Sequence, residues 1–187
     1  MTKALIVYGT RYGATASTSE EIARILRQEG LEVRVVDAKK EKVRDIAEYD
    51  LVIVGSGIKM DRWYSEPKEF LNNFQKELAK KKVALFVSCG HGCQAENEGK
   101  PEVIAKFRGK YLEEKAAKYN LQPIALGFFG GIEDFTKVSW LMKMAPPVKA
   151  ARRKMEAFYG EKKDVYDTRD MEAIRSWAKE LSQKIHS

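Results

Sequence analysis

The stretch that decides the fold is ALIVYGTRYGATAST, residues 4–18. Its apolar run, 4–8, reads as a strand that stops at Gly9 and gives way to hydroxyls, glycine and small residues, with a helical pattern following from about Thr15. In open parallel sheets the loop from the first strand to the first helix is the favoured place for a ligand. Three phosphate-binding designs do not fit it. A dinucleotide loop needs G-x-G-x-x-G, but Thr10, Arg11 and Tyr12 separate Gly9 from Gly13, and a triphosphate loop needs a lysine that does not follow Gly13. A phospho-acceptor domain would want an aspartate at the end of its third strand, where this chain has VIVGSG. The residues present suit a terminal monophosphate. Thr10 and Thr15 supply hydroxyls, the backbone of residues 11–15 supplies N–H groups, and the helix start adds roughly half a positive charge. A glycine turn that binds nothing is the plain alternative, but it has no need of hydroxyls at both ends.

Outward from this loop, apolar runs at 3–8, 32–37, 50–55, 82–88 and 122–128 alternate with helical patterns. Several runs are nearly continuous in Val, Ile, Leu and Ala, as in parallel strands buried on both faces. Helices are expected from about Thr15 to Glu29, from Pro67, from Pro101 and from about Arg169, with a short helical stretch around 43–47. The alternation predicts an α/β fold with right-handed crossovers, a parallel sheet between two helical layers. One stretch breaks the rhythm. About 40 residues precede the last helix, where such connections usually take fewer than ~10. Val138, Leu141, Met142 and Ala145, then Val148, Ala151, Met155 and Phe158, have helical spacing. An insertion of two short amphipathic helices, about 129–167, is expected within a single domain of 187 residues.

The net charge of +7 is concentrated in that insertion. Residues 135–163 hold eight basic side chains against Glu156 and Glu161, a balance of +6, which leaves +1 for the rest of the chain. A cationic face favours acidic proteins, anionic headgroups or carboxylate-bearing substrates. No aromatic–basic stacking surface accompanies it, so nucleic acid is not an expected partner. No run approaches the ~18 apolar residues of a membrane span. The N-terminus has no secretion-signal core, and two cysteines make no disulfide framework, so a reducing cytoplasmic setting is expected.

Two more loops follow strands. GSGIKMDRWYSEP, after the third, offers Gly55 and Gly57 for close backbone approach, with Trp63 or Tyr64 to stack on a flat ring, Trp63 favoured for its larger face. An aromatic there also serves as a staple on the following helix. SCGHGCQAENEGKP, after the fourth, sets Cys89, His91 and Cys93 together. Structural zinc wants four ligands, and the remaining histidine is the terminal His186, so no metal is expected. A redox pair of Cys89 and Cys93 is a second reading, at a spacing other than C-x-x-C. A third is a small-residue loop whose amides line a ligand edge.

The motif T-x-x-G-x-T after a first strand resembles the phosphate loop of the flavodoxin family. That resemblance implies a five-stranded sheet in the order 2-1-3-4-5 with FMN at its switch point. Carried onto this chain, it implies phosphate contacts from Thr10, Arg11, Tyr12, Gly13, Ala14 and Thr15. Ser56, Gly57, Ile58, Lys59 and Trp63 would flank the ring, and Ser88, Cys89, Gly90 and Gly92 its pyrimidine edge. TRYGAT, GSGIKMDRWYSEPKEF, LMKM and VYDTRDMEAIRSWAKEL are similar to one branch, the menaquinone-type protoporphyrinogen IX dehydrogenases. The branch implies a porphyrinogen substrate, a quinone acceptor and attachment at the inner face of the cell membrane. Lys143, Lys149, Arg152 and Arg153 would then pair the substrate's propionates. The other reading is an electron carrier whose basic insertion docks an acidic redox protein.

Overall fold

In the computed structural model, which describes residues 1–90 and 99–186, the chain threads one parallel sheet between two helical layers. Strand β1 (Lys3–Gly9) leads through helix α1 (Ala14–Gln28) to β2 (Glu32–Asp37). The chain then crosses to β3 (Leu51–Lys59), turns back in the short β4 (Arg62–Trp63), and enters α2 (Ser65–Asn73) and α3 (Gln75–Leu78). After β5 (Lys82–Ser88) come α4 (Pro101–Arg108), a π-helical turn (Gly109–Glu113), α5 (Glu114–Lys118) and β6 (Ala125–Phe129). The parallel strands lie in the order β2-β1-β3-β5-β6, which is the expected order once β4 is counted as an antiparallel flap on β3.

Side chains alternate along each strand, so every strand feeds two cores. Leu5, Val7, Val52, Val54, Leu85 and Val87 pack on one face against Phe70, Leu71, Tyr111 and Leu112. Ala4, Ile6, Ile53, Ala84 and Phe86 pack on the other, against Ile22 and Leu26 of α1 and Ile174, Ala178 and Leu181 of the final helix. Burying a Leu or Ile contributes about 1.5–3 kcal/mol, so these two layers dominate stability.

The helix expected around 43–47 does not form; Ile46 is anchored in the core by an irregular segment. The insertion does contain two helices, α6 (Trp140–Lys143) and α7 (Pro146–Tyr159). It also contains a pairing that the sequence pattern did not show: β7 (Ile132–Asp134) runs antiparallel to β8 (Val165–Asp167), ahead of the final helix α8 (Met171–His186). Phe135, Met155 and Tyr166 form a small core beneath them, with Val138, Val148 and Tyr159 at its margin. Thr168 fixes its root: the Gly131 N–H donates to Thr168 Oγ1 (3.0 Å), whose hydroxyl donates to the Gly131 carbonyl (2.9 Å).

Candidate functional site

The carboxyl ends of β1, β3 and β5 end almost level, with Gly9 beside Ser56 and Gly57 beside Ser88. Here the chain leaves β1 to one side for β2 and returns on the other as β3. The crevice at this reversal is a cleft of about 250 Å³ walled by four loops. The first supplies Thr10, Arg11, Tyr12, Ala14 and Thr15; the second Gly57, Ile58, Lys59, Met60 and Tyr64; the third Ser88, Cys89 and Gly90; the fourth Gly131, Ile132 and Glu133.

The first loop is shaped by Gly13. Its φ of +96° is left-handed, a region a side chain enters at a cost of about 1–2 kcal/mol. Its N–H is spent on Thr10 Oγ1 (3.1 Å), so it is not among the amides left for a ligand. Gly13 is also the cap residue of α1 and has no side chain with which to cap it. The first-turn N–H groups of α1, Ala14 and Thr15 included, therefore have no intrahelical partner and carry the positive end of the helix dipole. No carboxylate belongs to this end of the lining among the described residues, and Arg11 lies over the Tyr12 ring at 5.4 Å.

The opposite end is small and polar. Ser88 is buried, and its Oγ has no hydrogen-bond partner among the described residues. A Cβ on Gly57 would come 2.9 Å from Tyr64 Cε2, and one on Gly90 would collide with the Glu133 carboxylate. Glycine at both positions keeps these walls flat. Burial pushes the Tyr64 phenol pKa up, with Tyr12 adding to it and Arg11 opposing.

Most residues expected to meet a ligand converge here: Thr10, Arg11, Tyr12, Ala14, Thr15, Gly57, Ile58, Lys59, Ser88, Cys89 and Gly90. Four do not behave as expected: Gly13, whose N–H is bonded to Thr10 and which does not line the cleft, and three others. Trp63 is buried in the core, and its Nε1 donates to the Tyr111 carbonyl (2.8 Å), so the ring lining the cleft is that of Tyr64. Ser56 is also interior: its hydroxyl donates to the Gly57 carbonyl (2.8 Å) and accepts from the Tyr64 N–H (3.0 Å), which shapes the second loop from behind. Arg152 is engaged within the insertion, by Glu156 (3.2 Å) and Asp164 (2.8 Å) and over the Phe135 ring, whereas Lys143, Lys149 and Arg153 are exposed. His91, Gly92 and Cys93 lie outside the described residues. The sequence reading missed the fourth wall, although the pair Gly130–Gly131 closing the fifth strand marked a loop there. The insertion also meets the first loop directly, Lys137 Nζ donating to the Tyr12 carbonyl at 3.2 Å.

A family model described as a flavodoxin domain matches residues 5–146 of the chain. Among solved structures, a short-chain flavodoxin associated with a non-canonical PDU bacterial microcompartment is 13% identical, with 99% of each chain covered and a TM-score of 0.59. A flavodoxin from the domain Archaea is 15% identical with 100% of each chain covered and a TM-score of 0.57. Flavodoxin 2 of Bacillus cereus is 19% identical, covering 98% of this chain and 99% of its own, with a TM-score of 0.51. At these identities the likeness is one of fold.

Proposed function

The chain belongs to the flavodoxin domain family, and on that premise we propose that the cleft binds FMN in a redox protein that dehydrogenates a porphyrinogen-type substrate and delivers electrons to a quinone. The observation that carries the FMN reading is the polarity of the cleft. One end offers unspent helix amides and threonine hydroxyls without a carboxylate, and the other offers the partnerless Ser88 hydroxyl. FMN has the matching polarity, an anionic phosphate at one end and a ring with hydrogen-bonding edges at the other.

In this reading Thr10, Thr15 and the first turn of α1 hold the phosphate. Ile58 and Tyr64 cover apolar ring surface, and Ser88 with the backbone of 89–90 meets the polar edge. FMN supplies the electron-accepting chemistry that no side chain here can provide. The chain's own residues orient it and keep water from its inner edge.

The dehydrogenase reading draws on the insertion. Trp140 (78% exposed), Leu141 (66%) and Met144 (60%) stand in solvent close in sequence to Lys143, Lys149 and Arg153. Apolar groups rimmed by cations suit an apolar ligand with carboxylates, or an anionic membrane holding a quinone, where each Lys or Arg adds ~1 kcal/mol. No helix among the described residues is long and apolar enough to cross a membrane. A second reading, a carrier docking an acidic redox protein through the same face, is favoured by the full-length overlap with proteins described as flavodoxins.

An anaerobic absorbance titration separates the two. Bleaching of the flavin band by protoporphyrinogen IX, and its recovery with a menaquinone analogue, is expected. A flavin that stays oxidised under the porphyrinogen would leave the carrier.

A further inference from the structure

A second groove, of about 460 Å³, runs along the outer side of the β3–β4 hairpin, lined by Lys59, Met60, Arg62, Trp63, Tyr64, Ser65 and Lys68. It shares Lys59, Met60 and Tyr64 with the cofactor cleft, so the two form one continuous surface. The lining holds three cations and no carboxylate. None of the three has a side-chain ion pair among the described residues; Lys59 and Arg62 face each other across the hairpin, and Lys68 lies on the first turns of α2. The nearby carboxylate of Asp61 is committed to Lys110 and the Tyr111 hydroxyl. A further cation stands behind the groove. Lys115, half-buried with its ammonium 5.7 Å from the Trp63 ring centre, has its pKa lowered by burial, then by Lys118 and Lys68, with Glu114 opposing.

The three lining cations have no carboxylate among the groove's own residues, Tyr64 gives it an apolar wall, and Met60 stands exposed at its rim. Resting on the reading above, we propose that this groove, and not the insertion, is where the substrate's carboxylates bind: Arg62 and Lys68 pair them, and Met60 and Tyr64 carry the apolar body to the edge of the cofactor cleft. Three features of the groove define its ligand. It is anionic at two or more points, it is apolar between them, and it is broad enough to reach from Lys68 to the shared residues. Arg62 has the planar fork that grips a carboxylate with paired hydrogen bonds, and Lys68 acts as a point charge. The insertion is then free to meet the membrane or the acceptor.

The test uses the full-length, FMN-loaded protein and two probes, protoporphyrin IX and its dimethyl ester, followed by quenching of their fluorescence. Arg62 and Lys68 support the fold through their backbones, in the β3–β4 ladder and as acceptor from the Tyr119 hydroxyl. Their side chains form no ion pair among the described residues, so Arg62→Ala/Lys68→Ala should keep its circular dichroism and its FMN. That variant is expected to bind the free acid at least about tenfold more weakly and the ester unchanged, since each charged hydrogen bond contributes ~1.5–3 kcal/mol. Lys143→Ala/Lys149→Ala/Arg153→Ala should bind the free acid within about threefold of wild type. The inference is overturned, with the porphyrinogen reading intact, if the insertion variant takes the loss or the groove variant binds as wild type does. If wild type binds neither probe, both fall together; a groove variant that loses NADPH binding in that case would give the groove to a nucleotide.

Discussion

Ser88→Ala should have opposite effects on the apoprotein and on the flavin complex. In the structure the Ser88 hydroxyl is buried at the end of β5 without a partner among the described residues. A buried hydroxyl left unpaired costs ~1–3 kcal/mol, so deleting it from the apoprotein stabilises by about 1 kcal/mol. For a domain of this size that raises Tm by about 2–4 °C. With FMN bound, the same hydroxyl would hydrogen-bond the ring, and losing a neutral bond of about 1 kcal/mol weakens binding about fivefold. Thermal melts of apoprotein and fluorescence titration with FMN read the two effects separately. A variant whose apo Tm falls, or whose FMN affinity is unchanged, would refute the assignment of Ser88 to the cofactor.

Gly13→Ala meets no atom within 4 Å, so its cost is conformational, about 1–2 kcal/mol for a left-handed residue, and should lower the midpoint of urea unfolding while weakening FMN. Trp63→Phe should lose about 1–2 kcal/mol of stability, because the buried bond from Trp63 Nε1 to the Tyr111 carbonyl is lost, yet keep its FMN affinity; Tyr64→Ala should weaken FMN about tenfold. The reverse pattern in flavin titrations would return Trp63 to the ring. Hydrogen bonds from Arg24 and Arg175 hold the Glu21 carboxyl at about 2, below its ordinary 4.5. Because the folded pKa is depressed, its contribution is present above 4.5 and is lost as pH falls towards 2, so denaturation of Glu21→Gln should depend less on pH across that window.

The sheet could be read from the sequence because its strands are apolar on both faces, and the first loop because Thr10, Gly13 and Thr15 leave few other uses for that spacing. The second loop could not be settled that way. Trp63 and Tyr64 are adjacent, and which one faces the cleft depends on the register of a two-residue strand. That register is set by the turn at Met60 and Asp61, both at positive φ (46° and 64°), as in a two-residue hairpin turn that usually announces itself with Asn-Gly. The ion pairs of Arg152 are only half visible in the sequence for a similar reason. Its neighbour Glu156 is visible as a helical i,i+4 pair, but Asp164 reaches it only through the β7–β8 pairing. The stretch 43–47 has helical spacing but buries only Ile46 fully, with Val43 packed at the core's margin, too little apolar face to hold a helix.

In the proposed reading the uncapped start of α1 holds the phosphate of FMN. Parallel titrations of apoprotein with FMN and with riboflavin, read by quenching of flavin fluorescence, test it most directly. The two ligands differ only in the phosphate. Several charge-assisted hydrogen bonds of ~1.5–3 kcal/mol each predict that FMN binds at least about 100-fold more tightly. Equal affinity for the two, or no binding of FMN, would contradict it.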